Sequence, residues 1–291
     1  MKYVISGATS PTGNAVIKRL ADKVGAENIT CVVRPTSDTS LLQSLGLKTH
    51  IGDVTEPESF TSLLSASVAY IDMTHPKHYH KSLEAVVATG VERAYYVTTT
   101  GIFSKFRRCA DIYIVNEDRI RNSGVTYTIL RPSMIYGTLR DRNMNRLIRF
   151  LDRYPVFPFF GDGSNLMQPV FTDDLADGII AAIENPQTEN QEYNLAGPNP
   201  IAYGEMIDII LAKLGKNVRK VHISPGTAAG IVRALQWIPK FPINDEQVLR
   251  MREDKAYDIS KAVSELNFSP RGFDEGIGWE TEEMRKAGML R

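Results

Sequence analysis

Short apolar runs alternate with amphipathic stretches through the first half of the chain. Tyr3-Val4-Ile5 reads as a strand and is followed by Asn14 to Lys23, a helix with apolar positions at Ala15, Ile17, Leu20 and Ala21. The β-branched run Ile29 to Val33 predicts a second strand, Leu41, Leu42 and Leu45 a helix, and Lys48 to Ile51 a shorter third strand. The pattern continues with a helix over Pro57 to Leu64, a strand over Val68 to Asp72, a helix over Lys81 to Ala88 and a strand over Ala94 to Thr98. A helix over Asp111 to Asn122 and a sixth strand over Thr126 to Leu130 complete it. Six strands alternating with helices specify an α/β fold with a parallel, doubly wound, Rossmann-like sheet, because parallel neighbours need crossover helices. Such strands are covered on both faces and read as continuous apolar runs, as these largely do.

Beyond Arg131 the rhythm changes. Arg140 to Leu151 predicts a helix, and Tyr154 to Phe160 is an aromatic stretch broken by proline. Further helices are expected over Asp173 to Glu184, Tyr203 to Leu214 and Ala228 to Leu235, with another after Gly272. No internal repeat, linker or low-complexity tract interrupts the chain. The expected organisation is a dinucleotide-binding core over residues 1–137 and a smaller, mostly helical lobe over 138–291, with segments near 166–197 returning to the core.

Composition narrows the function classes. The 291 residues carry 34 Lys+Arg against 34 Asp+Glu, a formal net charge of zero, which disfavours a nucleic-acid partner. Cys31 and Cys109 are too few for a disulfide scaffold and form no metal knuckle. No run approaches the ~20 apolar residues of a membrane span, and no signal peptide opens the sequence. The expectation is a cytoplasmic monomer or homodimer acting on a small molecule, with no membrane partner.

The candidate chemistry begins at Ser6-Gly7-Ala8-Thr9-Ser10-Pro11-Thr12-Gly13, directly after the first strand and opening the first helix. A pyrophosphate needs backbone N–H groups and a helix N-terminus with no side chain in the way. Gly7 and Gly13 supply the turn and the helix packing. Thr9, Ser10, Pro11 and Thr12 lie between them, with Ser10 where a GxxGxxG pattern has its middle glycine. An NAD site usually carries an acidic residue at the tip of the second strand, yet here the strand ends Val32-Val33-Arg34. A guanidinium suits a 2′-phosphate, which favours NADP(H) and leaves NAD(H) possible. The alternative is a solvated Arg34, with Asp38 serving the ribose. Asp53 closes the third strand and can accept from an adenine amino group, with Val54 packing on the ring. An N-cap role for Asp53 is the bland alternative, although Thr55 fits that role better.

These motifs resemble the short-chain dehydrogenase/reductase superfamily, in the extended or atypical branch that holds nucleotide-sugar epimerase-like and NmrA-like NAD(P)-binding proteins. The resemblance continues through Tyr96-Val97-Thr98-Thr99-Thr100-Gly101, Leu130-Arg131-Pro132-Ser133-Met134-Ile135-Tyr136-Gly137 and Gln168-Pro169-Val170-Phe171-Thr172-Asp173-Asp174-Leu175-Ala176. Tyr193-Asn194-Leu195-Ala196-Gly197 and Asp258-Ile259-Ser260-Lys261-Ala262 follow in the right order. It implies that Thr74, Thr98, Pro132 and Ser133 also meet the cofactor. His75, Met144 and Gln168 are assigned to the substrate. Redox members of the superfamily use a Ser or Thr at the end of the fifth strand and a Tyr with a Lys four residues later. Thr100 fits the first position. The Tyr position falls on Cys109 and the Lys position on Tyr113, or, one turn on, Tyr113 is the acid and Glu117 replaces the Lys. Thr100 and Tyr113 are the catalytic candidates, with a histidine as another proton handler. His75, His78 and His80 form no metal set, since no carboxylate or thiol completes one. Two functions follow as expectations: an NADP(H)-dependent oxidoreductase or epimerase-like enzyme, or a sensor or assembly protein that binds the dinucleotide without turnover.

Overall fold

The computed structural model describes residues 2–105, 110–141, 143–160, 162–223 and 253–291, with Phe160 by its backbone alone. Its principal sheet has strands β1 (Tyr3–Ser6), β2 (Ile29–Val33), β3 (Lys48–Ile51), β4 (Ala69–Asp72), β5 (Arg93–Val97), β6 (Tyr127–Pro132) and β7 (Gln191–Leu195). They lie in the order β7-β6-β5-β4-β1-β2-β3, and every pairing is parallel. The connection reverses direction between β1 and β4, which opens a crevice beyond the carboxyl ends of those strands. β7 is the strand that the alternation did not separate from its surroundings. It is the edge strand, and its polar Gln191, Glu192 and Asn194 are half-buried, so it lacks the apolar run of the central strands.

The helices are α1 (Pro11–Val24), α2 (Ser40–Ser44), α3 (Thr61–Leu64), α4 (Tyr79–Thr89), α5 (Ala110–Arg121), α6 (Met144–Arg153), α7 (Thr172–Glu184), α8 (Tyr203–Leu214), α9 (Ser260–Leu266) and α10 (Phe273–Lys286). On one face of the sheet Ile5, Cys31 and Leu130 pack against Val16 and Leu20 of α1 and Leu175 and Ile179 of α7. On the other, Val4, Tyr70 and Tyr96 meet Leu83 and Val86 of α4 and Ile120 of α5. A separate cluster joins Met144, Ile148 and Leu151 of α6 to Phe157, to Ile207 and Ile210 of α8, and to Ile277 of α10.

Three boundaries differ from the expected ones for local reasons. α6 begins at Met144 rather than Arg140 because the Asp141 carboxylate accepts the backbone N–H groups of Asn143, Met144 and Asn145 at 2.9, 2.6 and 3.1 Å, capping the helix there. The stretch Pro57 to Leu64 is split into a 3₁₀ turn, Pro57–Ser59, and α3, with Ser59 Oγ accepting from Asp53 N–H at 3.0 Å. The aromatic stretch forms a strand over Val156–Phe160, paired in parallel with Arg219–Ile223 in a two-stranded ribbon that tolerates Pro158. The helix expected over Ala228 to Leu235 lies outside the described residues.

Candidate active site

A cleft of about 1790 Å³ runs along the carboxyl ends of the central strands. Among the sequence candidates it is lined by Gly7, Thr9, Ser10, Pro11, Thr12, Arg34, Asp53, Val54, Thr74, His75, Thr100 and Ser133. Gly13, Thr98, Pro132, Tyr113, Met144 and Gln168 are not among the residues that line it.

At the β1–α1 turn, Gly7 has φ +84°, and a Cβ there would stand 2.6 Å from the Met73 carbonyl, so the loop sits directly on the backbone that leaves β4. A Cβ on Gly13 would stand 2.2 Å from the Gly7 carbonyl oxygen, which fixes the first turn of α1 against the loop. The position that lacks a glycine has its own use. Ser10 is the N-cap of α1, its Oγ accepting from Gly13 N–H at 2.9 Å. Pro11 has no N–H and Asn14 donates to the Ser10 carbonyl, so Thr12 keeps an open first-turn donor at the edge of the cleft. Close backbone approach, one open amide and a helix N-terminus fit an anionic diphosphate.

At the next station of the cleft stand Arg34, Asp38 and Asp53. Asp53 Oδ1 accepts from Thr55 N–H at 2.9 Å and Thr55 Oγ1–H at 2.8 Å. These bonds, joined by the charges of Arg34 and His78, hold its carboxyl below the usual range. Asp38 has likewise turned inward on its own loop, accepting from Ser40 N–H and Ser40 Oγ–H at 3.1 and 2.7 Å. Arg34 stands at the end of β2, Arg140 is near enough to act on Asp38, and Val32, Val33 and Val54 give the cleft an apolar lining. That pairing of a flat apolar wall with a guanidinium fits an adenosine bearing a phosphate.

Under the middle of the cleft lies a carboxylate that the sequence reading missed. Asp72 is fully buried at the end of β4, in register with Ser6 of β1. Burial raises its pKa, against the pull of hydrogen bonds from Ser82, from Thr74 and from the Tyr70 hydroxyl. Thr74 N–H and Oγ1–H reach Asp72 Oδ1 at 2.9 and 2.6 Å, which fixes the backbone presented to the cleft. The next residue, His75, accepts from Lys77 N–H through Nδ1 at 3.3 Å. Asn116 of α5 clamps the same turn by donating to the Pro76 carbonyl at 2.8 Å. The His75 ring stands 6.0 Å from that of Tyr113 and 6.4 Å from that of His78, centroid to centroid. Burial, then Lys77, lowers the pKa of His78. Among the described residues no three His, Cys, Asp or Glu side chains gather into a metal site.

Tyr113 is 3% exposed and does not line the cleft. One turn along α5, in the place of the Lys, Glu117 is buried in an ion pair with Arg131 of β6, 2.6 Å apart. Thr98 donates to Glu117 Oε1 at 2.8 Å, so Thr98 faces α5 and not the cleft. Arg131 also reaches Glu192 of β7, which Arg121 meets at 2.5 Å. Against the upward push of burial, those two arginines hold the Glu192 carboxyl down to about 2. With Asp118 also 2.6 Å from Arg121, these charges form a network that ties α5, β6 and β7 together. The Cys109 alternative for the acid lies outside the described residues.

At the other end Thr100 donates through Oγ1 to the Pro132 carbonyl at 3.2 Å, and Ser133 donates to the Gln168 carbonyl at 2.5 Å. Gln168 is turned away from the cleft, donating to the Gly197 carbonyl at 2.7 Å and accepting from Tyr257 N–H at 2.6 Å. Met144 is buried in the lobe cluster. A strap over 253–257 crosses here. Glu253 accepts from Ser104 Oγ–H and Lys105 N–H, each at 2.7 Å, and Lys255 N–H donates to the Leu166 carbonyl at 2.8 Å. The strap brings Lys255 and Tyr257 to the cleft, which Met134 and Ile135 also line. Only the neighbouring Asp258-Ile259-Ser260-Lys261-Ala262 motif pointed to this region, because the strap itself has no periodicity.

Known proteins resemble this chain in sequence and in fold. The model of a family described as NAD(P)H-binding matches residues 7–186. Quinone oxidoreductase 2 of Escherichia coli is 24% identical over 238 residues, covering 79% of this chain and 81% of that protein. NADH dehydrogenase [ubiquinone] 1 alpha subcomplex subunit 9, mitochondrial, of Dictyostelium discoideum is 25% identical over 227 residues, covering 71% of this chain and 62% of that subunit. The chain spans about half the length of some curated relatives, with shares of 51% and 38% in two others. Among solved structures, the triphenylmethane reductase of Citrobacter sp. complexed with NADP(H) superposes with a TM-score of 0.77 at 19% identity, covering 96% of this chain and 100% of that one. Among the described residues no helix is long and apolar enough to cross a membrane.

Proposed function

Because the chain belongs to the NAD(P)H-binding family, we propose that it is an NADP(H)-dependent reductase that passes a hydride to a small, carbonyl-bearing or quinone-like acceptor. The observation that carries the reading is one continuous cleft. It runs from Arg34, past the Gly7 loop, to an acceptor end walled by Met134, Ile135 and Tyr257. A bound reduced nicotinamide supplies the hydride. The chain's part is to hold and orient. The Gly7 loop and the Thr12 N–H receive the diphosphate, Arg34 the 2′-phosphate, and Thr74 and Ser133 the central ribose and the nicotinamide side. Thr100 orients the acceptor oxygen, and the strap over 253–257 excludes water from that end. The organisation proposed with it is a core over 1–137 and a lobe over 138–291, with about 166–197 returning to the core.

The epimerase-like version is less well supported. Oxidising a sugar hydroxyl requires a base at the reacting carbon, and the carboxylate at position 117 replaces the cation that would activate a tyrosine. Reduction of a quinone-like acceptor makes a smaller demand on acid/base help. The relatedness to quinone oxidoreductase 2 and the fold shared with the Citrobacter reductase support the same choice.

The test is loss of NADPH absorbance on mixing with naphthoquinones, azo dyes and nucleotide sugars. Turnover of the first two classes and not the third is expected; no turnover of any overturns the reductase reading. A non-catalytic dinucleotide-binding role is the second reading, favoured by Glu117 in the Lys position and by the likeness to an NADH dehydrogenase subunit. On that reading Thr100→Ala and Tyr113→Phe leave every measurable property except stability unchanged.

A further inference from the structure

Between α10, the N-terminus of α6 and the turn after Tyr136 lies a group of buried oxygens. Tyr136 Oη, Thr138 Oγ1, Asn145 Oδ1 and Glu280 Oε1 have no hydrogen-bond partner among the described residues. Tyr136 is 1%, Glu280 2% and Asn145 3% exposed. Such groups are costly to bury unless water or a proton-bearing partner completes them. Their residues are chained together. Glu280 Oε2 accepts from Gly137 N–H at 2.9 Å, and Asn145 Nδ2 donates to the carbonyls of Thr138 and Asp141 at 2.8 and 3.1 Å. Thr138, Asp141 and Asn143 also line the cleft, so this buried polar group adjoins it.

We propose that Glu280 is the proton store of the acceptor end, passing a carboxyl proton from behind the cleft wall through Thr138 and ordered water to the acceptor oxygen. This rests on the reductase reading and supplies what that reading lacks, a proton source in place of the Tyr/Lys pair. The step balances. The acceptor takes a hydride from the reduced dinucleotide and one proton. The O–H bond of Glu280 breaks as the Thr138 hydroxyl hands its own proton forward and regains one, and the Glu280 carboxylate is reprotonated from water. Glu280 touches no reacting atom and acts through Thr138.

The surroundings favour the protonated form of the group. Burial, then the nearby Asp141 carboxylate, lifts the Glu280 carboxyl to about 8, against the single hydrogen bond from Gly137. Across Tyr136, the Arg271–Asp174 ion pair and Glu275 are further charged groups among the described residues, acting on the Tyr136 hydroxyl. α6 contributes the uncharged Asn145.

Two measurements on the full chain test this. The first is carboxyl ¹³C NMR of the cofactor-free, Glu-labelled protein, with Glu280 assigned by its disappearance in Glu280→Gln. A resonance that stays in the protonated position at pH 7 and moves near pH 8 is expected; one that titrates in the ordinary glutamate range overturns the proposal. The second is the pH profile of menadione reduction by NADPH. Wild-type kcat/KM should fall above pH 8. Glu280→Gln and Thr138→Val should lower kcat about 100-fold with NADPH affinity kept, the Gln variant should lose the alkaline limb, and Thr138→Ser should restore the rate. Turnover with an unchanged limb in Glu280→Gln removes this step alone. No turnover in the wild type removes the reductase reading and this step with it.

Discussion

Single positions in this chain carry separable consequences. Arg34 is the cation at the end of β2, so Arg34→Ala should weaken NADPH by about 1.5–3 kcal/mol, the worth of a charge-assisted bond, and leave NADH nearly unchanged. Titration calorimetry reads both. Gly13→Ala places a Cβ 2.2 Å from the Gly7 carbonyl, and loss of dinucleotide binding before loss of the fold is the expected result by fluorescence titration and circular dichroism. At this scale the sequence was most legible at the β1–α1 turn, where a short motif maps onto a short loop. It was least legible where roles depend on partners distant in the chain. Nothing local marks Thr98 as facing Glu117, or Gln168 as held between Gly197 and Tyr257.

Among the elements, α5 is tied to the sheet by charge. Arg131 is buried, and Glu117→Ala removes the more buried of its two carboxylate partners; Glu192 still pairs it, so the loss in chemical denaturation should stay below the about 3–5 kcal/mol of a fully unpaired buried charge. Glu192 adds a pH dependence. Its folded pKa, about 2, lies below the ordinary 4.5, so its contribution is present in full above about 4.5 and is lost as pH falls toward 2. Thermal melts of Glu192→Gln should therefore differ from wild type at pH 6 and converge with it at acid pH. Glu280 works in the opposite sense. Between 4.5 and about 8 only the folded state holds its proton, so stability declines with rising pH across that window, and Glu280→Gln should flatten the slope. The α/β alternation foretold most elements within a residue or two because packing on both faces writes itself into apolar runs. β7 and the start of α6 escaped because an edge strand and a side-chain cap leave weaker marks.

On the scale of the whole molecule, the sheet order puts the Gly7 loop, the Asp72–Thr74 bend, Thr100 and Ser133 along one edge, although they are far apart in sequence. This convergence is what a parallel sheet with a reversal between β1 and β4 supplies, and it makes a single extended ligand the natural occupant. The central claim is that this occupant is NADP(H). Calorimetric titration of the wild-type chain with NADPH and with NADH, repeated on Arg34→Ala, tests it most directly. One site with NADPH preferred at least tenfold, and that preference abolished in Arg34→Ala, is the predicted result. Equal affinity for the two dinucleotides, unaffected by Arg34→Ala, would contradict the assignment of Arg34, and binding of neither would contradict the account of the cleft.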